Sequence, residues 1–148
     1  MSTSVWYYYG YGVCVTDLKL NEANFRSWLK QGVPELSQAF EKAYKLNNGD
    51  FDLTCVEVAD NYCNSHCGLA AIIVEALNTV DGLGLLACQE QDTDDSYIML
   101  QCSLPWHTSK KALGLTIDQY IQYLVKRLSS FTDITKERIG DIEVENWG

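Results

Sequence analysis

Apolar and polar positions alternate most regularly between Leu83 and Trp106. Leu83, Leu85 and Ala87 recur at every second position, as do Ile98, Leu100, Cys102 and Leu104, and the polar run from Gln91 to Asp95 separates the two sets. Alternation on both sides of a polar turn predicts a β-hairpin. A hairpin with this much apolar surface must sit in a larger, helix-covered sheet. The aromatic and β-branched run from Val5 to Val15 predicts a central strand, in which Gly10 and Gly12 mark a bend, a bulge or a close approach of another backbone. Phe51 to Val58, with Leu53 and Cys55 on alternate positions, predicts a further strand. Ile142 and Val144, alternating with Glu143 and Glu145, predict a last one at a sheet edge, where the charges discourage pairing with another chain.

Helical spacing appears elsewhere. Asn21 is an N-cap candidate ahead of Phe25, Trp28 and Leu29, and Gly32 stops that helix. Pro34 suits the first turn of a second helix, whose stripe is Leu36, Phe40, Ala43 and Tyr44. Asn47, Asn48, Gly49 and Asp50 form a turn cluster. From Ser65 to Asn78 the run is apolar nearly all round, as in a helix buried between layers. Thr116 and Gln119 have the spacing of a capping box, followed by Ile117, Tyr120, Ile121, Leu124, Val125 and Leu128 at helical intervals. The order β, α, α, β, α, β, β, α, β predicts a single α+β domain over residues 1–148, with a mostly antiparallel sheet of about four or five strands and helices packed on it.

Charge changes the picture of partners. Asp and Glu number 20 against 11 Lys and Arg, a formal net charge of −9, so the summed field repels nucleic acid and acidic membranes. Lys126 and Arg127 are one dipeptide, not a basic patch. No apolar run reaches the roughly 18 residues needed to span a bilayer. Six cysteines are an even number, but Met1 to Val5 lacks a basic run followed by an apolar one, so the expectation is a cytoplasmic protein with reduced thiols. Cys14, Cys55, Cys88 and Cys102 fall in strand-like runs, where cysteine packs as a small hydrophobe.

Several constellations are candidates for chemistry. Cys55, Cys63, His66 and Cys67 are zinc-type ligands, yet three crowd one turn and the fourth lies in the expected strand, so no metal site is assigned. Cys63 or Cys67, opening a buried helix, would make a nucleophile with His107 as base, in an order similar to papain-like cysteine peptidases and amidases. His107 and Ser109 match only half of the paired motifs of two-histidine phosphoesterases. Gly10 and Gly12 lack the third glycine of a dinucleotide loop, and Asp92, Asp94 and Ser96 lack the glycine and glutamate of a calcium loop, so no cofactor is expected.

What remains is surface. Glu90, Asp92, Asp94 and Asp95 gather at the hairpin tip, and Asp50, Asp52, Glu57 and Asp60 lie along the expected second strand. Such carboxylates are either a solvated face or the complement of a basic protein surface. Trp6, Tyr7, Tyr8 and Trp147 have amphipathic rings suited to an interface. The opening Trp6 to Gly12, the corner Leu104, Pro105, Trp106 and the ending Val144 to Gly148 resemble small acidic proteins encoded by phages and mobile elements. That resemblance implies a host-directed binding or inhibitory role, as in anti-CRISPR proteins, and carries over no catalytic residue. The sequence thus points first to a non-enzymatic binding protein that engages a basic surface of a protein partner without contacting nucleic acid or membrane. Behind it stand a small cysteine-dependent hydrolase and a structural or assembly component.

Overall fold

The structure, a computed structural model, describes residues 5–91, 93–101 and 114–147, with side chains described from 8 to 145 within those ranges. Asp92, Cys102, Leu104, Trp106, His107 and Ser109 lie outside the described residues, as do the side chains of Trp6, Tyr7 and Trp147. Strand β1 (Val5–Cys14) leads into helices α1 (Glu22–Gly32), α2 (Pro34–Leu46), α3 (Phe51–Tyr62) and α4 (Leu69–Asp81). The hairpin strands β2 (Leu86–Gln89) and β3 (Ser96–Gln101), helix α5 (Ile117–Leu128) and strand β4 (Ile139–Trp147) follow. The sheet is antiparallel in the order β2-β3-β1-β4, so β1 is central and β4 stands at one end. This is an α+β fold with the helices packed on the sheet, as the pattern predicts.

The segment Phe51 to Val58 is not a strand. It is the first part of α3, with Asp50 as N-cap accepting a hydrogen bond from the Leu53 N–H at 3.1 Å. Phe51, Thr54, Cys55, Val58 and Ala59 are its buried residues, a helical repeat. Phe, Thr and Val favour strands only weakly, and the packing of this face overrides them. Phe51 stacks edge-on against Phe25 and packs on Phe40, in an aromatic cluster that also takes in Trp28 and Phe131 with ring centroids 4.7–6.1 Å apart. Each such pair adds about 0.5–1.5 kcal/mol beyond its buried area, which is how α1, α2 and α3 are joined.

α4 is the spine between layers. Ala70, Ala71, Ile72, Ile73, Val74, Ala76 and Leu77 are all buried, against α1 and α3 on one side and β2 and β3 on the other. It begins at Leu69 rather than Ser65 because Gly68, at φ 56°, is outside the helical region, and Gly82 ends it in a left-handed cap. α5 lies on the sheet through Tyr120, edge-on to Tyr11 at 6.4 Å. Its capping box is formed, Thr116 accepting from the Gln119 N–H and Gln119 from the Thr116 N–H.

The register divides the sheet into two faces. Tyr11, Val13, Ile98, Leu100, Ala87 and Ile139 share the helix-facing side and join the main core. Cys88, Met99 and Val144 are buried on the opposite side, with Tyr8, Leu86, Tyr97 and Ile142 packed on them. Alternation along the hairpin predicts one buried face; the hairpin buries both. Contact of Val144 with Cys88 and Met99 across the sheet, and a hydrogen bond from the Gln91 N–H to the Glu145 carbonyl (3.4 Å), show that the sheet curls around this second cluster. Gly10, Gly12 and Gly140 all fall on the inner side of that curl. A Cβ on Gly12 would stand 1.8 Å from the Ile98 carbonyl oxygen, and one on Gly10 would stand 2.7 Å from the Met99 sulfur. The glycines mark a close backbone approach, one of the roles the sequence offers for them.

Candidate functional site

The end of the hairpin is built by backbone bonds that leave Asp94 exposed and Glu90 and Asp95 half-buried. The Glu90 N–H donates to the Asp95 carbonyl at 2.8 Å, and the Asp94 N–H to the Glu90 carbonyl at 3.1 Å. Asp94 takes a positive φ of 59°, which aspartate tolerates better than most residues. The Asp95 N–H is held by the Thr93 hydroxyl at 3.3 Å. Among the described residues, Glu90 alone of these carboxylates has a side-chain partner. The Tyr97 hydroxyl donates to it at 3.4 Å, and burial first, then the charges of Cys14, Glu90 and Asp95, push the Tyr97 phenol up to about 12.

Beside this turn lies a cavity of about 420 Å³, lined by Tyr8, Ser65, His66, Cys67, the run from Leu86 to Gln91, and Asp94. Its size falls within the range of ligand-binding clefts. Tyr8, Glu90 and Asp94, three of the residues singled out from sequence, therefore meet around one space, and Asp95 is next to it. The strand register sets the backbones of Trp6, Tyr7 and Trp147 at the same end of the β1–β4 pair as Tyr8 and Glu145.

Among the described residues the ion pairs are Arg26–Glu41, Arg127–Asp81 and Arg138–Asp133, and the His66 Nδ1 lies against Asp60. None involves Glu90, Asp94 or Asp95. No lysine or arginine of the described residues lines the cavity, and His66, 91% exposed, is turned to Asp60 at 3.0 Å. No protein-family model, curated protein or solved structure matches the chain. The chemistry of the site must therefore be read from these residues themselves.

The other candidates are dispersed. The acidic residues expected along a second strand sit on or cap α3: Asp50 caps it, Glu57 accepts from Asn47 at 2.8 Å and Asp60 faces His66. Cys55 faces the core, 4% exposed, its thiol pushed up to about 12 by burial, with Asp52 and Glu22 adding to the shift. Cys63 does not open a helix. It caps the C-terminus of α3, and burial pushes its thiol up to about 11, the direction opposite to activation. Cys67 does precede α4, next to the N-cap Gly68. Among the described residues no three His, Cys, Asp or Glu side chains converge as metal ligands would. Nor is any described helix long and apolar enough to cross a membrane. Nothing local in the sequence marks Ser65, His66 and Cys67 as neighbours of the hairpin, because only the curl of the chain after α3 brings them to β2.

Proposed function

We propose that this chain is a non-catalytic acidic binding protein that engages a basic surface of a protein partner through the hairpin end. The observation that supports this reading most is the gathering of Glu90, Asp94 and Asp95, none of them ion-paired among the described residues, beside a cavity that also holds Tyr8. Carboxylates left without cations cost little in water and become favourable against a cationic surface, where they raise the association rate and suppress wrong partners. An inhibitory role, of the kind phage and mobile-element proteins perform, would use the same surface to occupy a basic groove on a host enzyme.

The test is capture of the partner from the native host by the tagged chain and by a variant with Glu90→Gln, Asp94→Asn and Asp95→Asn. The expected result is one stoichiometric partner with a basic surface, captured at least about tenfold more slowly by the variant, with a flatter salt dependence. Equal capture rates across a salt series would place the contact elsewhere.

A further inference from the structure

Among the described residues β2 ends the sheet on one side, and the row of backbone groups on its outer edge is bounded. The bond from the Glu90 N–H to Asp95 sets which way successive backbone groups turn: Leu86, Cys88 and Glu90 face β3, while Leu85, Ala87, Gln89 and Gln91 face outward. Both ends of that outward row are occupied. The Asn78 side chain takes Leu85, its Oδ1 accepting from the N–H at 2.7 Å and its Nδ2 donating to the carbonyl at 3.0 Å. The Gln91 N–H donates to the Glu145 carbonyl. Between them Ala87 and Gln89 each turn an N–H and a C=O away from β3, and no hydrogen bond among the described residues reaches these groups. The cavity beside the hairpin is lined by this same stretch, together with Ser65, His66 and Cys67 and the carboxylate residues Glu90 and Asp94.

We propose that an extended segment of the partner adds to the sheet as a strand beside β2, bonding the backbones of Ala87 and Gln89 and placing a lysine or arginine against Glu90 and Asp94. The proposal rests on the acidic-binder reading above and specifies how the partner is held. Open edge groups are a template for an incoming strand, with the main chain supplying affinity and side chains at alternate positions supplying selectivity. The charge of the cavity lining selects the occupant: among the described residues no lysine or arginine lines it beside Glu90 and Asp94, so a basic extended segment is complementary and an acidic one is repelled.

The probe is an end-blocked peptide of eight alternating lysine and valine residues, added to the full chain while amide hydrogen exchange is followed by NMR. The amides of Ala87 and Gln89 are expected to slow at least about tenfold, and that of Cys88, which already faces β3, to stay unchanged. Gln89→Pro removes one outward N–H without breaking a ladder bond and is expected to weaken binding of the peptide at least about tenfold. Should that variant fail to fold, the same peptide N-methylated on every residue keeps the charge but has no N–H on either edge, and it is expected not to bind. Binding without protection of Ala87 and Gln89, or unchanged binding of the methylated peptide, overturns the proposal. So does protection that rises with protein concentration in the absence of peptide, which would assign the edge to a second copy of the chain. Partner capture that depends on Glu90 and Asp94 but ignores Gln89→Pro sinks the strand-addition proposal alone. Strand addition that survives Glu90→Gln with Asp94→Asn sinks the charge reading instead.

Discussion

Gly12 is the residue at which backbone geometry is least forgiving. The missing Cβ lets β1 approach β3 so closely that any side chain would collide with the Ile98 carbonyl, a backbone atom that cannot move without parting the strands. Gly12→Ala is expected to cost more than about 3 kcal/mol in a urea melt. Gly140, opposite it in β4, has nothing within 4 Å of the position a methyl group would take, and Gly140→Ala should stay within about 1 kcal/mol. The buried thiols make a second expectation at this scale. Burial pushes Cys55 and Cys88 from 9.0 up to about 12, so the folded state holds protons that the unfolded state has released above pH 9. Stability from these thiols is fully present below pH 9 and is lost as pH rises toward their folded values, by up to about 1.4 kcal/mol per pH unit for each. Urea melts of the parent chain and of Cys55→Ala from pH 7 upward should show the shallower alkaline slope in the variant, and Cys55 and Cys88 should resist alkylation at neutral pH until the chain unfolds.

At the scale of the element, α3 shows how a local signal can mislead. Phe51, Thr54, Val56 and Val58 favour a strand by composition, while Asp50 as cap, Asp52 in the first turn and the burial of positions 51, 54, 55, 58 and 59 favour a helix. Thr54, fully buried, bonds back to the Asp50 carbonyl at 2.6 Å, which satisfies the hydroxyl inside the helix. Asp50→Ala is expected to destabilise the chain by about 1 kcal/mol in thermal or urea unfolding, the ordinary cost of a lost N-cap. Were Asp50 only a turn residue ahead of a strand, the change would be near zero. The helices whose caps and stripes agree, α1, α2 and α5, are legible from sequence because each local preference points the same way.

For the molecule as a whole, α4 and α5 are tied together by side chains far apart in sequence. Asp81, at the C-terminal end of α4, accepts from the Arg127 guanidinium at 2.7 Å and from the Tyr123 hydroxyl at 2.7 Å. Its side chain is 16% exposed, so the pair is shielded more than a surface ion pair. Burial and the bond to Asp81 hold the Tyr123 phenol well above its ordinary range. Arg127→Met is expected to cost about 1–2 kcal/mol, leaving Asp81 with one strong donor fewer, and Asp81→Asn in the same background should recover part of that loss. A double-mutant cycle by urea denaturation measures the coupling.

Much of the fold is written locally. Alternation predicts the hairpin and the last strand, aromatic and β-branched composition predicts the first, helical spacing with a cap or a first-turn proline predicts α1, α2 and α5, and an apolar run predicts α4; together they predict an α+β domain, because these are properties of neighbouring residues. Three things belong to the tertiary structure. The state of residues 51–58 depends on what their side chains pack against, and the aromatic cluster around Phe25 chooses the helix. The second buried face of the sheet exists because the strands curl, bringing Val144 to Cys88 and Met99 from opposite sides of the sheet order. The candidate site is half visible in the sequence: Glu90, Asp94 and Tyr8 carry recognisable chemistry, but their meeting with His66, Cys67 and the outward-facing backbone of Ala87 and Gln89 comes from strand order and curl. Backbone groups look alike in every sequence, and only the pairing of strands determines which of them remain open.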